Sequence, residues 1–576
     1  MAMRAFMLKR AFEVYSRAHR PATAWLFLLL VVLGMIPWWL FIRRFVESDF
    51  LALALTMPDD SFYYLLPAWH FSTHHYFTFD GLHKTYGFQP AYMLLLTALS
   101  AILPSLEAVF RAGLCINVTL HVATGVLVGL AVNRALAGTS ATVRYITSLL
   151  AGAVYLLGHN LFWANVTLKE NALAAFLYVL AIFCLLRALS AAHQRSIRAD
   201  VWLGTIVGCL LLARLLPSSV LAVAVTLGVL WALVSRRSAI AVTVAMLVPL
   251  LLWGLYAEMA FGHILPTSMH VKTDGRGILS AVQHWWSLPA ADLFYWSEWY
   301  GRWVISFLSD RYVDPRLFSI RAGFVGIGVG SLMLCMVSPA WWSRGRTLLI
   351  LLAAASLCGV LAIPVLLYRS TKMLLTYSTW YLFDVSAILV ITCAVAIGFV
   401  GQRVADLLTR WASPRPAVSA IVIGLLWMGA VVAELKWFND VKPLTRSDYS
   451  ESNWQYVAAK TTLWFRSAVP LEEGERVGAF NAGLVGLLLP HGLINLDGLA
   501  NDDIGEYLAH GGELGEYMLR EGIRYVIDFV PRPADLERLL QLKTEVLMTS
   551  EAKLRDGPDC PKCGGLAYYV IRLQKP

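Results

Sequence analysis

The 576-residue chain is 58% hydrophobic and only 15% charged, whereas a soluble domain carries roughly 25% charge. Apolar runs of about 18 or more residues recur through its first 434 residues, the pattern of a polytopic helical membrane protein. The net charge of +9 does not mark a nucleic-acid surface: from Leu435 onward 16 Lys and Arg stand against 20 Asp and Glu, so the basic excess belongs to membrane-flanking loops.

In chain order, spans are predicted near 23–43, 111–132, 145–162, 172–190, 201–215, 217–234, 239–257, 321–339, 347–367, 379–400 and 417–434, about 11 in all. The first follows Arg4, Lys9, Arg10, Arg17 and Arg20 without an evident small-residue cleavage site, so it is expected to be a retained anchor. Residues 89–103 are expected to form a short re-entrant or interfacial helix. With the N-terminus inside, the inner loops then carry Arg134 and Arg144, Arg195 and Arg198, Arg236 and Arg237, Arg344 and Arg346, and Arg403, Arg410 and Arg415. That orientation puts 44–110, 258–320 and the tail outside. A membrane domain of 1–434 and an extracytoplasmic α/β domain of 435–576 are the expected division. In the tail, "RVGAF", "GLINLDG", "IRYVIDFV" and "LAYYVIRL" read as strands, and "DIGEYLAHGGELGEYMLREG" reads as helical.

The chemistry gathers on the outer side. In "MPDDSFYYLL", Asp59 and Asp60 follow the first span; acids at a membrane border point to chemistry or to a helix start. Glu170, in "VTLKENAL", adds a carboxylate at the same depth, and Arg214, in "LLARLLP", sits near a span end. Arg43, Arg44, Lys84, Lys169, Lys272, Arg369 and Lys372 run against the positive-inside bias, and a lipid phosphate is a fitting counter-ion. Each also fits an ordinary snorkelling cation. "FGHILPTSMHVK" contributes His263, His270 and Lys272, while His70, His74 and His75 lie in the first loop. Zinc is conceivable there, but the expectation is that no cofactor is required and no residue is assigned as a metal ligand. Cys560 and Cys563 form a CxxC, read as a local disulfide if the tail is outside the cytoplasm.

Acids, cations and aromatics on one outer face match sugar transfer from a polyprenyl-phosphate carrier. One acid would take the acceptor's proton, and cations would stabilise the leaving phosphate. The chain resembles the membrane glycosyltransferases of the C-type fold, which include protein O-mannosyltransferases and the lipid A aminoarabinose transferase. "DDSFYYL" is similar to their acidic pair. Within that family it is most similar to bacterial chains like the terminal arabinofuranosyltransferase. There "TYGFQPAY" matches a TNGFHPLW-like stretch, "ENAL" an ETAL-like one, "LARLLP" an LTRPD-like one, and "INLDGLAND" an xDLxGLVN-like one. "FGHILPTSMHVK" matches YGxxLPNTxxxK. Gln89 stands where histidine is common, and Leu216-Pro217 where an acid often follows the arginine.

The resemblance implies Asp59 as base, Asp60 as its partner in placing the acceptor, Glu170 as a sugar or acceptor ligand, and Arg214 and Lys272 beside the donor phosphate. His263, Lys84 and Gln89 join as substrate-binding candidates, and Lys372 enters on topology alone. It further implies a bacterial inner-membrane enzyme with an extracytoplasmic glycan, lipid or protein acceptor. The other reading is a transporter or flippase for lipid-linked sugar, though no inverted repeat is visible.

Overall fold

The computed structural model describes residues 2–190, 196–215, 217–268, 329–333, 383–411, 441–451, 453–530, 533–551 and 567–574. Among them, five helices are long and apolar enough to cross a bilayer: Thr23–Glu47, Leu106–Ala135, Asn171–Leu189, Arg236–Phe261 and Ser386–Val404. The spans expected near 145–162, 201–215 and 217–234 are the helices Ala141–Leu156, Ile197–Ala213 and Pro217–Val229, the last running into a π turn at Leu230–Val234. These are shorter than the roughly 20 residues a crossing needs. Spans expected at 347–367 and 417–434, and most of that at 321–339, lie outside the described residues, as does the expected division at 434/435. The described residues thus give five such helices, against about 11 expected for the whole chain.

Serines set several helix starts. Ser105, Ser140, Ser196 and Ser235 each accept a backbone N–H from the first turn that follows. Small residues set the closest packing. On Ile197–Ala213, a side chain at Gly204 or Gly208 would run into the carbonyls of Val242 or Met246, so the backbones of this helix and Arg236–Phe261 touch.

The loop after the first span is largely helical, with a 3-10 turn at Asp59–Ser61, a helix at Phe62–His74 and another at Pro90–Ser100. The last has only 11 residues, too few to cross.

The tail forms a five-stranded sheet of β1 (Arg476–Ala479), β2 (Leu493–Asn495), β3 (Ile523–Val530), β4 (Thr544–Glu551) and β5 (Ala567–Leu573), in the order β2-β1-β3-β5-β4. β1 runs parallel to β2 and β3, while β5 is antiparallel to β3 and β4. Four of these strands are the ones read from sequence. The fifth, β4, is an edge strand with mostly exposed or half-exposed side chains, so it lacks a strong hydrophobic alternation. Ile494, Ile504, Tyr517, Val526 and Ile571 pack one face of the sheet.

The other face joins the membrane part. A single apolar cluster runs from Phe41 and Phe45 of the first span through Phe62, Leu65 and Leu66 to Ala482, Val485, Tyr525 and Ile527. Tail and first loop share a core, and that shared core positions the site.

Candidate active site

Pro58 is extended and the chain then tightens into the Asp59–Ser61 turn, which sends the two adjacent carboxylates different ways. Asp59 turns toward the tail. Its Oδ2 accepts the Gly483 N–H and its Oδ1 the Leu484 N–H, each at 2.8 Å. It therefore holds the first turn of the helix Ala482–Leu488. A side chain at Gly483 would lie 2.8 Å from the Asp59 carboxyl carbon, so only glycine admits this approach. Burial pushes the Asp59 carboxyl up to about 6 against the two amide bonds, and the charges of Asp60 and Asp528 add to the rise.

Asp60 faces the membrane helices instead. Its Oδ2 lies 3.1 Å from Lys169 Nζ, with the Asp60 side chain 40% exposed and that of Lys169 only 5%. Lys169 and Glu170 stand on a turn fixed from within the bundle. Asn117, on the span Leu106–Ala135, donates to the Thr167 and Lys169 carbonyls, and Asn171 donates to that of Ala164. Arg214 is buried beside them, bonded through Nη1 to Asn171 Oδ1 and 4.0 Å from Glu170 Oε1. Gln89 closes the ring: its Oε1 accepts the Leu215 N–H at 3.0 Å, and its own N–H donates to the Tyr64 hydroxyl at 3.1 Å. The Glu170 charge acts on that hydroxyl.

Asp60, Glu170, Arg214 and Gln89, expected from the sequence, thus gather with Lys169, Tyr64 and Asn171. Glu170 Oε2 is buried with no hydrogen-bond partner among the described residues, an acceptor that suits a substrate hydroxyl. Arg214→Met leaves this buried carboxylate without its cation and is expected to cost about 3–5 kcal/mol of stability. Thermal unfolding of the purified protein checks this, with Arg214→Lys, which keeps charge but loses the fork, falling between.

Lys84 and His263 lie in a neighbouring seam. Lys84 Nζ donates to the Ala260 carbonyl at 2.7 Å. His263 stacks on Tyr86 and bonds the Leu265 carbonyl through Nδ1 at 2.7 Å. There the first loop meets the tail: Tyr86 N–H donates to Asp502, and Asp502 N–H to the Lys84 carbonyl. A side chain at Gly87 would overlap the Leu499 carbonyl. The "TYGF" and "DGLAND" motifs are each other's docking surfaces. Lys272, Lys372, His270, Cys560 and Cys563 lie outside the described residues.

His83 forms a second tie across this junction. Its Nδ1 is 2.7 Å from Asp80 Oδ2 and its Nε2 is 3.2 Å from Glu521 Oε2. Carboxylates only accept, so both bonds form only in the imidazolium. Burial alone would lower the His83 pKa, but Asp80, Glu521 and Asp503 raise it. His83, Asp503 and Glu521 have ligand atoms within 4.8 Å of one another. Arg476 and Arg520 already pair with these acids at 3.1 and 2.8 Å, which opposes a dication. His70 faces the Thr78 carbonyl at 3.1 Å, its ring 5.8 Å from that of His74.

Asp497 is the residue that sequence reasoning missed. It was legible only as one letter of "INLDGLAND". Half-buried after β2, it accepts the Leu499 N–H at 2.7 Å. Burial pushes it up to about 7, and the charges of Asp59 and Asp60 add to the rise. The raised carboxyls and raised His83 share one sign for pH, and they outnumber His70, whose pKa burial lowers and which acts in the opposite sense. Asp59, Asp497 and Asp528 bind protons more tightly folded than unfolded, so the penalty for their charge grows as pH rises from about 4. The His83 tie is fully present below about 6.5 and is lost as pH rises through its higher folded value. The unfolding midpoint should therefore be higher at pH 5.5 than at pH 8.5; a midpoint rising with pH contradicts the assignment.

No family model and no curated protein matches the sequence. Solved structures do resemble it. The archaeal oligosaccharyltransferase AglB from Archaeoglobus fulgidus, in complex with an inhibitory peptide and a dolichol-phosphate, aligns with TM-score 0.53 and 12% identity, over 88% of this chain and 70% of its own. ArnT from Cupriavidus metallidurans aligns in the apo state with TM-score 0.51 and 13% identity, over 96% of this chain and 98% of its own. The ArnT structure bound to undecaprenyl phosphate gives 0.50 and 13%, over 95% and 98%. The chain therefore has the C-type fold of these membrane glycosyltransferases.

Proposed function

We propose that this protein is a membrane glycosyltransferase that moves a sugar from a polyprenyl-phosphate donor to an acceptor hydroxyl on the extracytoplasmic face of a bacterial inner membrane. The observation that carries this reading is the cluster of Asp60, Lys169, Glu170 and Arg214 at the junction of helix bundle and tail. The fold shared with ArnT, whose structure holds undecaprenyl phosphate, supports the donor class.

Asp60, rather than Asp59, is the general base in this reading. Lys169 beside it favours the ionised carboxylate. Asp60 takes the acceptor hydroxyl proton as that oxygen bonds to the anomeric carbon. The bond from that carbon to the phosphate oxygen breaks, its electron pair leaving with the polyprenyl phosphate. One displacement inverts the anomeric centre. Lys169 and Arg214 offset the charge growing on the phosphate, Glu170 accepts from a sugar hydroxyl, and Lys272 stays a candidate for the same phosphate. Asp59 positions the tail.

The test incubates the purified chain with a panel of polyprenyl-phosphate monosaccharides and oligosaccharide acceptors. Release of polyprenyl phosphate with an inverted glycoside supports the reading. Lipid-linked sugar crossing proteoliposomes intact, with no donor consumed, makes the protein a transporter instead.

A further inference from the structure

A cleft opens where the first span meets the tail. The span ends at Glu47, and the segment entering the tail is pinned just beyond it. Leu444 N–H donates to Ser48 Oγ at 2.7 Å, and Asp49 N–H to the Leu444 carbonyl at 3.0 Å. Thr445 and Asp448 close a capping box on the 3-10 turn Arg446–Asp448, and this turn brings Arg446 Nε to 3.3 Å from Asp49 Oδ1. From the other side, Glu107 lies in the first turn of the span Leu106–Ala135 and pairs with Arg111 at 2.6 Å. These four charged side chains line a cavity of about 570 Å³, walled by Phe50 and by Leu463, Leu487 and Leu488 of the tail. Small-ligand sites run to roughly 300–1,000 Å³, so the cleft has room for one. Leu487 and Leu488 end the helix Ala482–Leu488, whose first turn Asp59 holds, so an occupant touches the element that seats the tail.

The charged groups differ in what they have left to offer. Arg111 donates each of its N–H groups, to the Phe45, Val46 and Ser48 carbonyls and to Glu107 Oε1. It braces the two span ends and holds nothing in reserve. Arg446 is exposed and, among the described residues, bonded only through Nε, so its terminal nitrogens are available. Glu107 is exposed too, and its Oε2 has no partner among the described residues. The lining charges balance, two carboxylates against two guanidinium groups. A lone anion finds as much repulsion as attraction there, whereas a zwitterion satisfies both signs. Val46, three residues before Asp49, is exposed on the apolar first span, where lipid surrounds it. We infer that this cleft binds the headgroup of a zwitterionic phospholipid with a primary ammonium, phosphatidylethanolamine by class. Arg446 takes the phosphate, Glu107 and Asp49 take the ammonium, and the leucine wall covers the glycerol end of the chains. None of the lining residues belongs to the cluster around Asp60. The binding needs no sugar transfer, so it is independent of the transferase reading.

The test titrates dioleoyl phosphatidylethanolamine, phosphatidylcholine and phosphatidylglycerol into the delipidated full chain in detergent and reads each Kd by native mass spectrometry. Glycerophosphoethanolamine serves as the water-soluble arm. The wild type should bind phosphatidylethanolamine about 10-fold more tightly than phosphatidylcholine, whose methylated ammonium has no N–H to donate. Glu107→Gln combined with Asp49→Asn should abolish that preference, and asparagine still caps the turn at Ala52. Arg446→Gln should weaken both lipids alike by about 10-fold, since they share the phosphate. Unfolding midpoints of the lipid-free variants show whether the fold is retained, and the wild-type preference needs no variant at all. Equal Kd values for the two zwitterionic lipids, tighter binding of phosphatidylglycerol, or no loss in a folded Arg446→Gln variant overturns the inference. Glycerophosphoethanolamine binding as tightly as the lipid overturns it too, since the ligand is then a soluble zwitterion. None of these readouts involves sugar transfer, so the transferase reading is judged apart from them.

Discussion

Asp60→Asn should lower sugar transfer by about 10²–10⁴-fold, the range a general base contributes, while donor binding persists. Asp59→Asn should retain activity within about 10-fold of wild type. The contrast comes from what each carboxylate touches. Asparagine caps a helix about as well as aspartate, so Asn at position 59 keeps one of the two bonds to Gly483 and Leu484. The lost amide bond is worth on the order of 1 kcal/mol, which loosens the tail slightly. At position 60 the amide has no basicity to offer, although it still fits beside Lys169. Single-turnover assays with radiolabelled donor, run beside equilibrium binding of the same lipid, separate the two roles. The reverse order, with Asp59→Asn dead and Asp60→Asn active, would return the base to Asp59.

Gly87→Ala should uncouple the tail from the membrane part and remove most transfer. A Cβ there overlaps the Leu499 carbonyl. That carbonyl is backbone, in a loop held by Asp497 and by Asn501, whose side chain bonds the Asn495 carbonyl. Neither partner yields by a rotamer change, so the loop must move as a unit. Overpacking typically costs about 1–3 kcal/mol where side chains can adjust, and a backbone overlap belongs at or above the top of that range. The tail should then become protease-sensitive at lower temperature, with the helix bundle still intact. Transfer unaffected by Gly87→Ala would mean that the tail is a cover without a part in the reaction.

Much of this architecture is legible in the sequence. Hydropathy alone marks Thr23–Glu47, Leu106–Ala135 and Arg236–Phe261, because twenty consecutive apolar residues have few other uses. β3 and β5 are legible because aromatic and β-branched residues dominate them. The acids, Glu170 and Arg214 are legible because charge at a membrane border is expensive. What sequence order could not supply is partnership. Asp59 and Asp60 are adjacent letters, and only the 3-10 turn at Asp59–Ser61 sends one to the tail and the other to Lys169. Lys84 and His263 looked like substrate ligands by charge and motif, yet their bonds go to the Ala260 and Leu265 carbonyls in a docking seam. Tyr63 meets Ala482 and Asn495 across more than 400 residues, a separation that no local pattern bridges. Gly87 and Gly483 belong to the same class: each is explained by a backbone approaching from elsewhere in the chain.

The most direct test is where the phosphate of a bound polyprenyl phosphate rests. A structure of the full chain with undecaprenyl phosphate should place it within salt-bridge reach, about 4 Å, of Lys169 or Arg214, on the side of Asp60 away from the tail sheet. A phosphate bound against the tail sheet, or one whose cations are all remote from Asp60, would contradict the account.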